Sequence, residues 1–266
     1  MYFRSILKPL LVLMAWQWNS MLYADIASFS ASRDNTLYES ATGALSNGAG
    51  NFLFSGRTTN SGLIRRGLLQ FDTSSIPIGA TINSVSVRLT MDKADQAGQV
   101  IVGLNRMTRQ WGEGTSLASG QEGGGAAATN GDATWLHSSF PGTLWTTAGG
   151  DFVATASATQ TLSAEGNYTW NSTVNLVADV QQWVNNPTAN FGWMLRGEEI
   201  GTTAMRFVSR TGPGGVAVRP QLTVDFTAVP EPGSVLLLAS AGMLILLGWR
   251  RTHSAFHHTV ARFSET

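Results

Sequence analysis

His137 is the only histidine between the two end segments of this 266-residue chain, and cysteine is absent altogether. The missing thiols remove disulfides, thiolate metal sites and cysteine nucleophiles together. A single imidazole makes neither a histidine zinc cluster nor an HExxH helix. A Ser-His-Asp triad would have to use His137, yet no Gly-x-Ser-x-Gly elbow accompanies it, so no catalytic residue is assigned. Glycoside hydrolysis needs two carboxylates some 5 to 10 Å apart across a cleft. Glu198 and Glu199 are adjacent on a hairpin connection, where neighbouring side chains diverge, and they are assigned to a solvated turn.

Two binding chemistries have candidate residues. Asp34, Asn35 and Asp72 could place oxygens around a structural Ca²⁺, because hard cations take carboxylate and carbonyl ligands from loops. No ordered Asp-x-Asp ladder accompanies them, and a turn at Asp34-Asn35 with capping by Asp72 is the favoured alternative. Trp135 and Trp145 lie on a glycine-rich stretch with Asn130 and Asp132 nearby. Sugar rings stack on such aromatics while amides and carboxylates take the hydroxyls. The other reading is that the tryptophans pin the stretch onto a sheet; packing is favoured for Trp135, and the two readings stand level for Trp145.

The elements that would position these residues are strands. Charged residues make up only 13% of the chain, and it holds 29 glycines, a composition suited to turns and short strands. Strand signals recur at 51–55, 64–71, 82–91, 99–107, 168–174, 192–196, 205–209 and 221–226, separated by Gly, Asn, Ser and Pro. Over 82–91, Val85, Val87, Leu89 and Met91 alternate with polar residues, which gives one core face and one wet face. One helix is expected, since Leu176, Val180, Trp183 and Val184 share a face before Asn185-Asn186-Pro187 ends the run. Residues 112–150 lack alternation and form a long excursion of the kind that carries function. The expected fold is all-β, an antiparallel jelly-roll-like β-sandwich with one short helix.

Both ends differ in character. Arg4 and Lys8 precede the apolar run 10–16, and a small residue, Ala24, closes the segment, the order of a secretory signal peptide over residues 1–24. Between residues 25 and 229 there are 12 Lys plus Arg against 15 Asp plus Glu, and nothing suggests a basic face for nucleic acid. At the far end, Val229-Pro230-Glu231-Pro232 leads into an apolar run over 235–249 and then Arg250-Arg251. As a helix that run is about 22 Å long, short of a hydrocarbon core of ~30 Å. The arginines favour the cytoplasmic side, which places residues 25–229 outside. Residues 230–251 resemble a PEP-CTERM sorting signal. The resemblance implies transient membrane anchoring by the helix, cleavage near Pro230-Glu231-Pro232 by an exosortase-type protease, and release to the cell surface or matrix. Residues 252–266 form a short tail.

Arg33-Asp-Asn-Thr-Leu-Tyr-Glu39, Arg65-Arg-Gly-Leu-Leu-Gln-Phe-Asp72, Trp111-Gly-Glu-Gly-Thr115, Phe191-Gly-Trp-Met-Leu-Arg196 and Arg219-Pro-Gln-Leu-Thr-Val224 occur in an order that resembles a DNRLRE-type domain. That resemblance spans nearly all of residues 25–229 and implies a secreted β-sandwich; some members of the family are considered carbohydrate-binding modules, and most have no assigned function. The functional expectation is an exported, non-enzymatic surface or matrix protein bound to or embedded in extracellular polysaccharide. A polysaccharide lyase or hydrolase and a purely structural surface component are the alternatives.

Overall fold

Hydrophobic alternation gives this chain its longest ladders. The computed structural model describes residues 24–59, 61–94 and 98–229; the leader, the sorting motif with its apolar run, and the C-terminal tail lie outside the described residues. Within Ala24–Val229, which form one compact unit, the strands are β1 (Ala24–Tyr38), β2 (Leu45–Ser46), β3 (Phe52–Arg57), β4 (Ile64–Phe71), β5 (Thr81–Ala94) and β6 (Val100–Arg106). There follow β7 (Ala126–Ala127), β8 (His137–Ser139), β9 (Thr143–Leu144), β10 (Ala158–Leu162) and β11 (Gly166–Trp170). Helix α1 (Val174–Asn185) precedes β12 (Trp193–Arg196), β13 (Met205–Val208) and β14 (Gln221–Thr227).

Every pairing is antiparallel, and six strands close a ring. The first half of β1 pairs with β14 from Ala24↔Thr227 to Ser30↔Gln221. After a register shift between Ala31 and Arg33, its second half pairs with β4 up to Tyr38↔Arg65. The long β5 pairs with β14 along its start and with β13 at its far end. Strand β13 pairs with β3. The ring closes where β3 meets β4 at Gly56↔Arg65 and Arg57↔Ile64. Strands β12, β6 and β10 extend the sheet beyond β4, and β11 occupies the other edge of β5.

The expected antiparallel β protein with one helix is what forms. Two separate jelly-roll sheets do not describe the pairing, because β1 passes from one sheet into the other and the hairpin joining β3 to β4 bridges them. The bulge in β1 supplies the bend such a crossing requires. No helix among the described residues is long and apolar enough to cross a membrane.

Helix α1 starts where Thr173 Oγ1 accepts the Leu176 N–H at 3.0 Å, an N-cap. Its apolar face buries Leu176, Val180, Trp183 and Val184. Trp183 meets Trp193 with ring centroids 4.4 Å apart. Gln181 fastens the helix to the start of β5: its amide donates to Ala80 O and accepts from Ile82 N, both at 2.9 Å.

Two apolar cores result. The larger fills the ring and holds Leu69, Val87, Trp170, Trp193 and Phe207. The smaller holds Leu37, Leu68, Trp111, Trp135, Trp145 and Met194. Leu68 and Leu69, like Trp193 and Met194, are successive residues that point into different cores. The sheet of β1, β4 and β12 is therefore buried on both faces, which is why β4 and β12 carry unbroken apolar pairs rather than alternation.

Candidate functional site

The glycine-rich excursion is held to the sheet by charge as well as by apolar contact. Glu113 accepts a fork from Arg210, with Nη2 at 2.8 Å from Oε2, and its Oε1 accepts the Asp34 N–H at 2.9 Å. The Glu113 carbonyl accepts Asn35 Nδ2 at 2.8 Å, and the Trp111 carbonyl accepts Arg33 Nη1 at 3.1 Å. Arg33-Asp34-Asn35 on β1 thus grips Trp111-Gly112-Glu113 residue by residue. The Asp34 carboxyl is pushed up to about 7, chiefly by burial and also by the neighbouring Glu113. The Arg210 N–H and guanidinium oppose that rise.

Glu122 provides a second clamp. It stands at φ 63°, the left-handed region that non-glycine residues seldom occupy. In that conformation its carboxylate accepts Asn47 Nδ2 at 2.8 Å and the N–H groups of Asn51 and Phe52. Its carbonyl accepts the Tyr38 hydroxyl at 2.9 Å. Strain at this residue is offset by satisfying donors at the start of β3. In the sequence Glu122 is one acid beside three glycines, and only that glycine run marked the backbone as unusual.

The sugar-stacking candidates separate. Trp135 and Trp145 are only 9% and 6% exposed, and Trp145 Nε1 donates to Thr134 O at 2.8 Å. They pin the excursion to the outer face of the sheet and present no stacking face. Asp132 is fully buried, with Oδ2 accepting the Thr129 N–H, whereas Asn130 is exposed. Among the described residues every tryptophan is buried. The three calcium candidates do not form one oxygen cluster either. Asp34 Oδ2 accepts the Arg210 N–H. The Asn35 amide is used by Glu113, Ser46 and the Thr36 and Asn47 N–H groups. Asp72 lies beyond β4, where it accepts the Ser74 N–H in a turn and is held below the usual carboxylate range by Ser74. No group of three or more His, Cys, Asp or Glu side chains suited to a metal gathers among the described residues.

Glu199 is not the solvated turn residue its position suggested. Arg66 forks onto it at 2.7 and 3.0 Å, and Arg196 adds a longer contact. Burial raises the Glu199 carboxyl, but the two arginines outweigh it and hold the group below its usual range. Arg66 also lies over Trp135, 4.9 Å from the ring centroid, so this ion pair is part of the clamp on the excursion. His137 Nδ1 sits 3.1 Å from Thr134 Oγ1 in a tight turn, and its ring meets the edge of Phe140.

An open cleft of about 750 Å³ lies beside the second clamp, lined by Arg65, Lys93, Gln121, Glu122 and Arg206 among others. Arg206 is tied to Asp92 at 2.9 Å, donates to Gln121 Oε1 at 2.6 Å and stacks on Phe52. Lys93 is exposed along the cleft. None of the residues singled out in the sequence for binding lines it.

The ends of the domain converge. Thr227, the last residue of β14, pairs with Ala24 on one side and with Thr81 on the other. Two residues later comes Pro230. Pro230, Glu231, Pro232, Arg250 and Arg251 lie outside the described residues, but residues 228–251 match the PEP-CTERM protein-sorting motif. No curated protein matches the chain. The class that follows is an exported β protein, carried to the cell surface through the membrane and processed there by an exosortase. The motif covers the C-terminal segment only, so the β domain's own role is argued from its surface.

Proposed function

We propose that the β domain is a non-catalytic component of the outer surface or extracellular matrix that binds, or is embedded in, extracellular polysaccharide. The sorting motif supports delivery to that location. The observation that carries the binding half is the cleft where the exposed Lys93 stands near Arg206 and Gln121, which hold each other, beside space open to a chain-like ligand. Ammonium and guanidinium groups pair with sugar carboxylates, and the amide takes hydroxyls. The resemblance to a DNRLRE-type domain, which rests on the order of its sequence motifs, belongs with this reading.

Affinity electrophoresis of residues 25–229 through gels containing an acidic or a neutral polysaccharide tests it. Retardation in the acidic gel, lost on Lys93→Glu, is the expected result; free migration in every gel removes the binding half. A purely structural role is the second reading, favoured by the burial of every tryptophan between residues 24 and 229. Release of sugar products by the purified chain, abolished by a single cleft substitution, would instead make it an enzyme.

A further inference from the structure

Where β1 bulges at Ser32, the end of β4, the turn that follows it and the short 3₁₀ turn Pro187–Ala189 leave a smaller pocket of about 230 Å³. It shares no lining residue with the cleft of Lys93. Arg33 and Asp72 line it and carry opposite charge. Among the described residues neither enters an ion pair. Arg33 gives one N–H, from Nη1, to the Trp111 carbonyl and rests over the Trp111 ring, so its remaining N–H groups are unspent. Asp72 is exposed and is bonded only within its own turn, to Ser74, which keeps it ionised.

Gln70 supplies a third group. It is 9% exposed, and its Nε2 donates at 2.6 Å to the carbonyl of Asn190, which lines the same pocket, so the amide stands at the pocket wall. Its Oε1 is buried and meets no donor among the described residues. Acceptors buried in folded proteins rarely go without a donor, because the lost hydration is not repaid.

These groups select a chemistry. A cation drawn to Asp72 meets the Arg33 guanidinium, and an anion drawn to Arg33 meets the Asp72 carboxylate, so either ion is opposed from one wall. A hydroxyl both donates and accepts. Neighbouring hydroxyls on one ring can give hydrogens to Asp72 and to Gln70 Oε1 while taking one from Arg33. The exposed ring of Pro187 adds an apolar surface for the C–H face of such a ligand. The volume is below the roughly 300–1,000 Å³ of pockets for drug-sized ligands and suits a single ring.

We propose that this pocket binds one neutral sugar residue through its hydroxyls, with Asp72 and Gln70 accepting and Arg33 donating. The site and its ligand chemistry are distinct from the cleft; the inference rests on the polysaccharide reading only for the source of the sugar.

The test is a titration of ¹⁵N-labelled residues 24–229, one compact unit, with the methyl pyranosides of glucose, galactose, mannose and rhamnose, followed by NMR. At least one of the four is expected to move the Gln70 side-chain amide and Arg33 Nε signals along one saturable curve. Asp72→Asn, which keeps the turn but removes the charge, weakens that binding about tenfold, as loss of a charge-assisted hydrogen bond requires. Gln70→Met, which removes Oε1, abolishes it, with thermal unfolding as the check on folding; Asp72 lies on an exposed turn, so its variant decides the matter if Gln70→Met does not fold. No movement with any of the four glycosides, an unchanged curve for Asp72→Asn, or movement of the same signals by acetate or methylammonium at lower concentration than by any glycoside overturns the inference. Retardation in the acidic gel together with a silent titration overturns it while leaving the cleft reading intact. A saturable titration with free migration in every gel supports it and removes the cleft.

Discussion

Glu113 receives the Arg210 guanidinium, an Asp34 N–H and, through its carbonyl, the Asn35 amide, so one residue joins the excursion to β1 and to the segment after β13. Removing its carboxylate leaves Arg210 and the Asp34 N–H without their acceptor. Glu113→Ala is therefore expected to cost about 2–3 kcal/mol, read from urea denaturation, since breaking a largely buried ion pair costs more than the pair contributes. Asp34 gives a pH signature. Its folded-state value near 7 lies above the ordinary aspartate range, so the native state keeps a proton that the unfolded chain has released. The stability linked to that proton is present in acid and is lost as pH rises from about 4 to 7. Asp34→Asn lacks this loss, so the variant should gain on wild type between about pH 4 and 7 and hold that gain above it in parallel denaturation curves. Glu199, held low by its arginines, acts in the opposite sense but equally in both chains and drops out of the difference.

At the scale of elements, what was legible in the sequence is what has a period. Alternation located β5 and β14, and the 3.6-residue spacing together with Asn186-Pro187 located α1, because burial on one face writes itself into the order of residues. The 15-residue β1 was legible only as a motif: Ala27, Phe29 and Ala31 alternate weakly, and past the bulge the strand is buried on both sides. The clamp residues were harder, since Asp34, Glu113 and Arg210 become neighbours only through the ring, across 79 and 97 positions of chain. The tryptophans misled for a related reason: a glycine-rich stretch without alternation looks exposed, yet its outer-core partners Leu68 and Met194 are written into other strands. Gly192 shows how tightly the elements meet. It has φ +73°, and a Cβ there would stand 2.1 Å from the Leu69 carbonyl oxygen. Gly192→Ala is expected to destabilise by more than about 2 kcal/mol, combining left-handed strain with a backbone clash. Thermal unfolding followed by circular dichroism is the check. By contrast, Thr173→Ala removes the α1 cap together with the hydroxyl's hydrogen bond to the Ser157 carbonyl and should cost about 1–2 kcal/mol by the same measurement.

At the scale of the whole molecule, the two cores share a wall. Because β4 and β12 send successive residues into both, opening either core disturbs a sheet on which the other rests. Tryptophan fluorescence, which samples Trp170, Trp183 and Trp193 in one core and Trp111, Trp135 and Trp145 in the other, should therefore change at the same denaturant concentration as far-UV circular dichroism. Two resolved steps would mean that the excursion folds as a separate unit. The closed ring also bears on life at high local concentration. A protein displayed densely on a surface meets copies of itself continually, and an open sheet edge is where such copies add strand to strand. Here each of the six ring strands has a partner on either side along part of its length, and the strands at the outer margins, β10 and β11, are short and carry Thr, Gln and Asn. Closure thus reduces the length of backbone edge open to such strand addition, leaving more of any association to side chains and to the matrix around them.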